Sequence, residues 1–359
     1  MDIVRQGKGR GAGANAASAR FGLPRQEADG EWLDASLAVD GAPAPLRTTV
    51  TIEHPRSILS RNTSPDLPFD QSVNAYRGCE HGCIYCYARP THAWLDLSPG
   101  LDFESRLFAK PDAARLLRAT LRKPGYVPKV IALGTNTDPY QPIEAEYRIT
   151  RSILEVCLEA RNPVAITTKS DRVLADIDLL AEMARHDLVA IALSVTTLDG
   201  AVARTLEPRA AAPRKRLAAI RALSECGIPV HMNVSPVIPA ITDHEIEAVV
   251  AAGAQAGALS ASFIPVRLPH EVAPLFRAWL DAHHPDRAAK VMHIVRDIRG
   301  GRDNDPDFGS RMRGTGVWAD LIRTRFKRAA ARHGLDGRAD QLCCDLFERP
   351  ELDGQMRLL

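Results

Sequence analysis

The chain has 359 residues, of which 45% are hydrophobic and 25% are charged, which is typical of a folded protein of one large domain or two ordinary ones. The formal net charge of +2 is too small to indicate, by itself, a nucleic-acid-binding protein. Seven cysteines, no apolar N-terminal stretch and no run of 18 apolar residues argue against a secreted disulfide framework and a membrane helix, so we expect a reduced, cytoplasmic enzyme without a membrane partner.

Residues 1–45 have no apolar period. The segment "GKGRGAGANAASARFG" is rich in glycine, alanine and basic residues. This composition predicts a flexible N-terminal tail, and an arm that contacts nucleic acid is the alternative. The segment "LRTTVTIE", around residue 50, predicts a short strand.

The stretch "NAYRGCEHGCIYCYARPTH" carries three cysteines, Cys79, Cys83 and Cys86, at C-x3-C-x2-C spacing. Three thiolates at this spacing can reach three corners of one compact inorganic cluster. A structural zinc site takes four ligands, and His81 and His92 are the nearest candidates for a fourth, so zinc stays as an alternative. A [4Fe–4S] cluster is normally held by four cysteines, and three would leave one iron open for an exogenous ligand.

Strands and helices alternate after residue 106. An amphipathic helix is expected in "SRLFAKPDAARLLRATL". Strands are expected in "KVIALGTN", "PVAITTKS", "VAIALSVTT", "PVHMNVSPVIP" and, as a sixth strand, "ALSASFIPVRLP". Helices are expected in "EYRITRSILEVCLEA", "DIDLLAEMARH", "APRKRLAAIRALSECG" and "HEIEAVVAAGAQAG". We interpret the strands as buried apolar runs, which predicts a parallel βα repeat of the α/β class with its chemistry at the polar carboxyl ends of the strands.

The pattern changes after residue 270. Helices are expected in "HEVAPLFRAWLDAHHP" and "WADLIRTRFKRAAARHG", and a polar loop in "RGGRDNDPDFGSRMRGTG" between them. Residues 286–338 contain 13 lysines and arginines against 7 aspartates and glutamates. Residues 271–359 are therefore expected to form a helical, basic C-terminal extension, whose charge indicates either a phosphate-facing patch or a solvated helix face.

The cysteine stretch resembles the radical S-adenosylmethionine (SAM) enzymes, whose motif is C-x3-C-x-aromatic-C, with Tyr85 in the aromatic position. The resemblance covers roughly residues 70–270. It implies a partial (β/α)6 TIM-type barrel as the core over residues 46–270, with the cluster loop at 76–90. It also implies that Cys79, Cys83 and Cys86 bind a [4Fe–4S] cluster, and that SAM is cleaved reductively to a 5′-deoxyadenosyl radical for hydrogen abstraction.

Within that superfamily, Tyr85–Cys86–Tyr87 is similar to the spore photoproduct lyase-like branch. The whole cysteine run, with "GTNTDPYQPIE" and "LEPRAAAPRKRL", resembles bacterial radical SAM proteins named as DNA repair photolyases. The lyase returns a hydrogen atom from a cysteine near the end of its second strand. The corresponding stretch here, "VIALGTNTD", has no cysteine, which puts thymine-dimer repair by the same route in doubt.

The resemblance also implies a SAM pocket at the strand ends. The loop residues Thr135, Asn136, Thr137 and Asp138 would face the methionyl amino group. Lys169 would balance the carboxylate of SAM, with a plain surface lysine as the alternative. Ser194 would contact the ribose, with a plain strand-end serine as the alternative. Asn233 and Ser235 would contact the ribose as well.

Two arginines and two tyrosines have open roles. Arg209 would bind a carboxylate in a bidentate fork or pair with Glu207. Arg267 would bind an anionic substrate or cap the barrel. Tyr85 and Tyr87 are the catalytic candidates, since they would relay a radical, although Tyr85 is better explained as an aromatic residue packing on the cluster.

The remaining cysteines are not assigned to the cluster. Cys157 and Cys226 fall in helical patterns and are expected to be buried packing residues. Cys343 and Cys344 are adjacent and form either an incidental pair or a redox-active one. The expected partners are an electron donor such as flavodoxin or ferredoxin and a nucleic-acid substrate. A peptide or small-molecule substrate and a non-catalytic metal-binding protein are the alternatives, and no oligomeric state is predicted.

Overall fold

The computed structural model describes residues 9–15, 20, 46–337 and 342–351. These residues form an α/β fold. The strands are β1 (Thr49–Ile52), β2 (Leu59–Arg61), β3 (Gln71–Val73), β4 (Tyr76–Arg77), β5 (Arg106–Ala109), β6 (Ile131–Leu133), β7 (Val164–Thr168), β8 (Val189–Ser194), β9 (Val230–Val237) and β10 (Ser260–Pro265). The helices are α1 (Leu101–Ser105), α2 (Ala113–Leu121), α3 (Glu144–Tyr147), α4 (Ile149–Glu159), α5 (Ile177–Ala184), α6 (Gly200–Leu206), α7 (Pro213–Glu225), α8 (Ile246–Gln255), α9 (Val272–His283), α10 (Ala288–Asp297) and α11 (Gly316–Arg332). Short 3-10 helices cover Arg89–Leu95, Asp171–Asp176 and Asp243–Glu245.

The larger sheet is mixed and has the strand order β10-β9-β8-β7-β6-β3-β2. Strands β3 and β6 to β10 are parallel to their neighbours, and β2 pairs antiparallel with β3 at the edge. Because these strands are parallel to one another, their carboxyl ends lie along a single edge of the sheet. The loops that leave these ends, including the cysteine loop, therefore converge there.

The two faces of the larger sheet differ in side-chain size. Large apolar residues alternate with small or polar ones along β7, β8 and β9. The large residues are buried in a core shared with α5, α7 and α8: Val164, Ile166, Val189, Ile191, Leu193, Val230, Met232 and Val234. The residues between them are only partly buried: Ala165, Thr167, Ala190, Ala192, His231 and Asn233. The interpretation of these strands as continuous buried runs was therefore wrong, because only one face is covered by helices.

The five strands before β6 differ from the sequence prediction, which named only the strand near residue 50. The strand expected near residue 50 exists as β1, but it belongs to a separate three-stranded sheet of order β1-β5-β4. The parallel sheet begins instead with β3, which the sequence analysis did not predict because three residues are too few to show a period. No element was predicted for the residues of α10, which lie between the helix expected in "HEVAPLFRAWLDAHHP" and the polar loop.

Part of the segment expected to be a flexible tail is packed against the fold. Arg10, Gly11 and Ala12 are buried. Their partners lie in α1, about ninety positions away in the chain. The prediction of a flexible tail was wrong for residues 9–15, and most of the remainder of 1–45 lies outside the described residues.

The C-terminal extension is helical, with α9, α10 and α11 in the part of the chain that the structure describes. Several of its arginines are neutralised within the fold. Arg325 pairs with Glu247 of α8, and Arg311 pairs with Asp66. The local excess of positive charge is therefore only partly available to a ligand. Within the described ranges, no helix combines the length and apolar character that crossing a membrane requires.

The buried Glu144 links the cysteine loop to the helices after β6. Its carboxylate accepts hydrogen bonds from the Tyr76 hydroxyl, just before that loop, and from the backbone N–H of Thr150 at 2.9 Å. Burial raises the pKa of Glu144 from 4.5 to about 7. The folded chain thus holds a proton that the unfolded chain releases near pH 4.5, so this contribution to stability is largest at low pH and is lost as the pH rises through 7.

Glu144→Gln should remove this pH dependence, because an amide does not ionise in this range. We expect the free energy of unfolding of the variant, relative to the wild type, to rise by about 3 kcal/mol between pH 4.5 and 7.5. Urea unfolding of both metal-free proteins across this range measures the difference. A difference that stays constant would show that Glu144 titrates like an exposed carboxyl group.

Candidate active site

The cysteine loop follows β4 and lies at the carboxyl edge of the larger sheet. Cys79 and Cys83 are buried, and Cys86 is half-buried. The backbone N–H of Cys79 donates to the carbonyl of Phe103 at 2.9 Å. Gly78 adopts a positive φ of 74°, and a β-carbon there would lie 2.9 Å from that same carbonyl oxygen. A glycine at this position is therefore what allows the loop to pack against α1.

Backbone amides near two of the three sulfurs oppose the effect of burial on those thiols. Burial raises the pKa of each thiol, while hydrogen bonds from the N–H of Asp138 to Cys79, and from those of Ala88 and Arg89 to Cys86, lower it. Hydrogen bonds of this kind stabilise a thiolate and tune the potential of an iron–sulfur cluster. The net shift of all three pKa values is upward, so the thiols of the metal-free chain favour the neutral form and a bound cation would favour the thiolates.

The donor set fits a polynuclear cluster better than a single ion. Among the described residues, no three His, Cys, Asp or Glu side chains lie close enough to hold one metal ion. Thiolates on a cluster each bind a different iron, so they need not converge on one point. His81 and His92 have other partners: His81 Nδ1 lies 3.3 Å from Asp138 Oδ2, and His92 Nε2 lies 3.0 Å from the carbonyl of Arg106. Because no group of three possible ligands includes either histidine among the described residues, neither completes a four-ligand zinc site.

Asp138 joins the loop after β6 to its neighbours. One oxygen accepts from the Thr168 hydroxyl at 2.7 Å, and the other accepts from the Lys169 N–H at 2.8 Å and lies beside His81. Burial opposes ionisation, but His81 and these hydrogen bonds hold the pKa of Asp138 below its usual value. Because both oxygens already have partners, Asp138 is better placed to position the loop than to bind a ligand directly.

The other residues of this loop are held by the chain segments around the cysteine loop. Asn74 Oδ1 accepts from the backbone N–H of Asn136 at 3.0 Å, and its amide lies within hydrogen-bond distance of the Thr135 hydroxyl. The Thr137 hydroxyl donates to the carbonyl of Tyr76 at 3.2 Å. The four predicted residues of this loop therefore lie beside the cysteine loop.

A buried carboxylate, Glu207, lies on the other side of the cysteine loop. It accepts hydrogen bonds from the Tyr85 hydroxyl, from Thr196 at 2.7 Å and from Arg216. Burial opposes its ionisation, but Arg216 and Lys169 lower the pKa of Glu207 to about 2. The Tyr85 hydroxyl is thus held by a charged hydrogen-bond network.

Arg209 does not pair with Glu207, so that alternative was wrong. Its guanidinium lies 3.2 Å from Glu80 Oε1, and its backbone N–H donates to the carbonyl of His81. Arg209 and His81 also line a cavity of about 300 Å³. The arginine therefore supports the cysteine loop from the side of this cavity.

Lys169 is a cation close to two of the cysteines. Its Nζ lies 5.9 Å from the ring centroid of Tyr85 and is close enough to Cys83 and Cys86 to lower their pKa values. Within the described residues, Nζ makes no ion pair and no hydrogen bond, although the side chain is partly buried. A partly buried ammonium group without a direct partner can bind an anionic ligand.

Ser194 of β8 and Asn233 of β9 are paired on the face of the sheet opposite the helix-covered core, which we call the open face. Ser262 of β10 is paired with Asn233 on its other side. Asn233 Oδ1 accepts from the Ser262 hydroxyl at 3.0 Å. His231 lies two residues before Asn233 on β9. Its Nδ1 lies 2.8 Å from the Ser260 hydroxyl, and its Nε2 lies 2.8 Å from the Ser262 hydroxyl. His231, Ser260 and Ser262 were not predicted as site residues. The alternation in "VHMN" and "SAS" would have placed them on the same face.

Tyr87, in the loop after β4, and Arg267, just after β10, lie at the carboxyl end of the open face, which we call its mouth. Tyr87 is 54% exposed, and its hydroxyl donates to the carbonyl of Thr135. Arg267 contacts the sulfur of Met312 at 3.1 Å, and its Nε is buried without a hydrogen-bond partner. Arg267 makes no ion pair among the residues that the structure describes.

The other cysteines lie away from the cluster loop. Cys157 is buried in the core as expected, but Cys226 is exposed just after α7, so the prediction that it is buried was wrong. The backbone N–H of Cys343 donates to the carbonyl of Asp187, which precedes β8 at its amino end. The adjacent pair therefore lies at the opposite edge of the sheet from the cysteine loop.

The sequence profile of the Radical SAM superfamily matches residues 73–252. Uncharacterized protein Rv2578c of Mycobacterium tuberculosis is 33% identical over 288 residues, which cover 79% of this chain and 85% of that protein. Uncharacterized protein MJ0683 of Methanocaldococcus jannaschii is 31% identical over 173 residues, which cover 48% of this chain and 62% of that protein.

Solved structures of spore photoproduct lyase share the fold. The lyase complexed with dinucleoside spore photoproduct matches with a TM-score of 0.56 and 15% identity, over 87% of this chain and 84% of that one. A lyase mutant with bound AdoMet and dinucleoside spore photoproduct matches with a TM-score of 0.55 and 15% identity, over 79% of each chain. At this identity the likeness concerns the fold alone.

Proposed function

Because the chain belongs to the radical SAM superfamily, we propose that Cys79, Cys83 and Cys86 hold a [4Fe–4S] cluster and that the protein cleaves SAM reductively. The observation that carries the proposal is the position of three thiols on one loop at the carboxyl edge of the sheet, with Cys79 and Cys83 buried and Cys86 half-buried. The bound cluster would supply the electron that releases a 5′-deoxyadenosyl radical. The six parallel strands in chain order support a partial (β/α)6 barrel as the scaffold.

The chain's own residues would bind and orient SAM. Lys169 offers an unpaired ammonium for the carboxylate, and Ser194 and Asn233 offer polar groups for the ribose hydroxyls. The backbone and hydroxyl groups of the loop 135–138 would face the amino group, with the Asp138 carboxylate fixing the loop. The buried Tyr85 would pack beside the cluster.

Anaerobic reconstitution tests the central reaction. With iron, sulfide and a strong reductant, we expect about four irons and four sulfides per chain and the formation of 5′-deoxyadenosine from SAM. Cys83→Ala should lose the cluster and the product, because one ligand is removed. Cys226→Ala is the matched control and should retain both, since Cys226 is exposed outside the site.

Two results would contradict this proposal. One equivalent of zinc without acid-labile sulfide would favour the alternative of a non-catalytic metal-binding protein. A loaded cluster that yields no 5′-deoxyadenosine, with or without candidate substrates, would refute the radical chemistry.

Lys169→Met tests the proposed carboxylate contact. Losing a charge-assisted contact should weaken SAM binding by about tenfold to a hundredfold, with no change in iron content. Lys129→Met is the control, because Lys129 pairs with Asp70 and lies before β6, at the opposite edge of the sheet. Titration calorimetry on reconstituted proteins measures both affinities. Equal affinities in the Lys169 variant and the wild type would remove this lysine from the SAM site.

We propose a nucleic acid as the substrate class, with a base or nucleotide as the site of hydrogen abstraction. The support is the pairing of an exposed aromatic ring, Tyr87, with an unpaired arginine, Arg267, at the mouth of the open face. Single-stranded nucleic acids bind to such pairings by base stacking and phosphate contact. A peptide or small-molecule substrate is the alternative, and an electron donor such as flavodoxin or ferredoxin would supply the electron.

Binding of single-stranded and duplex DNA at several salt concentrations tests the substrate class. We expect the logarithm of the affinity to fall linearly with the logarithm of salt concentration. Arg267→Met should reduce this slope by about one, because one phosphate contact is lost. Arg325→Met is the control, since Arg325 already pairs with Glu247. Binding that salt leaves unchanged would favour the peptide or small-molecule alternative.

A further inference from the structure

Arg89 is the internal support of the cysteine loop. The side chain is fully buried, and its Nε donates to the carbonyl of Cys83 at 2.9 Å. One terminal nitrogen donates to the carbonyls of Pro99 at 3.1 Å and Gly100 at 3.0 Å. The other donates to the carbonyl of Gly82 at 3.0 Å and to the Glu104 carboxylate. The guanidinium therefore fixes two consecutive carbonyls within the loop, one of them that of the second cysteine.

Glu104, a residue of α1, forms an ion pair with Arg89, and both side chains are fully buried. A buried ion pair is stable only when the remaining lone pairs of the carboxylate are hydrogen-bonded. Here the N-terminal segment supplies those donors. The N–H of Gly11 donates to Oε2 at 2.9 Å, and the N–H of Ala12 donates to Oε1 at 2.8 Å. Arg10 adds a hydrogen bond from its guanidinium to the backbone carbonyl of Glu104 at 2.6 Å.

The approach of this segment depends on Gly11. A β-carbon at this position would overlap the carbonyl oxygen of Gly82, and it would lie 3.3 Å from Glu104 Oε1. The next residue, Ala12, is fully buried among apolar side chains that include Cys83, Ile84 and Tyr85. The segment therefore contacts the cysteine loop directly as well as through Glu104.

We propose that Arg10, Gly11 and Ala12 help to position the loop that forms the cluster site. They act as a strap that completes the hydrogen bonding of Glu104, keeps Arg89 in place and so positions the stretch from Gly82 to Cys83. The inference rests on the proposed function only where it concerns the cluster, because the hydrogen bonds of the strap belong to the protein alone. Arg10, Gly11 and Ala12 are positioning residues here, since none is placed to bind the cluster or SAM.

Gly11→Ala tests the strap, and Gly125→Ala is the matched control because a β-carbon at Gly125 meets nothing within 4 Å. In the metal-free protein, we expect Gly11→Ala to speed amide hydrogen exchange of residues 79–89 by about tenfold or more, because the donors to a buried carboxylate are lost. In the reconstituted protein, we expect iron to be lost to a chelator faster by a similar factor. The control should match the wild type in both measurements.

A chain lacking residues 2–15 provides the second variant, in case Gly11→Ala leaves the strap in place. Unchanged exchange of residues 79–89 in this shortened chain, with thermal unfolding like that of the wild type, would overturn the proposal. The two proposals fail separately. A wild type that binds no iron and sulfide refutes the proposed function, while hydrogen exchange in the metal-free protein still decides the role of the strap.

Discussion

The central constraint on this protein is that an irregular, buried loop must satisfy its backbone polar groups without the ladder of a helix or strand. An unpaired N–H or carbonyl in the interior costs roughly as much as a lost hydrogen bond, or more. Side chains from elsewhere supply the partners. The Gln141 side chain accepts from the N–H of Glu80 at 2.9 Å and donates to the carbonyl of Gly78 at 3.2 Å. The Arg89 guanidinium donates to the carbonyls of Gly82 and Cys83. The position of the thiols thus depends on side-chain hydrogen bonds rather than on regular secondary structure.

The same constraint divides the charged residues around the loop into two groups. Asp138 and Glu207 are buried carboxylates whose oxygens are occupied by neighbouring donors, so they fix the loops at the strand ends. Lys169 and Arg267 are cations without a carboxylate partner among the described residues. Because an unpaired cation in a partly buried place has a cost, such residues are retained more readily where a ligand supplies the missing charge. This separation indicates which residues position the site and which are free to bind.

The sequence was informative wherever the signal was local. The C-x3-C-x2-C spacing and the apolar strands of the repeat lie within short windows, and the expected strands β6 to β10 are present. The partners of the loop could not be predicted, because Glu104 meets Gly11 across 93 positions of the chain. Glycine-rich composition also misled the interpretation of residues 1–45. The sequence does not distinguish a glycine that allows two backbone segments to approach closely from a glycine in a flexible linker. Only the packing in the folded structure distinguishes them.

The alternation along the strands explains how the fold leaves room for chemistry. A closed eight-stranded barrel fills its interior with layers of large branched side chains. Here the branched residues point toward the helices, and the other face of β7 to β9 carries Ala165, Ala192 and Asn233, which are only partly buried. Small side chains on that face cannot fill the space in front of it. The residues that form the helix-covered core therefore also determine, by their register, that Ala165, Ala192 and Asn233 lie on the opposite face, whose carboxyl end is next to Lys169 and the loops that follow the strands.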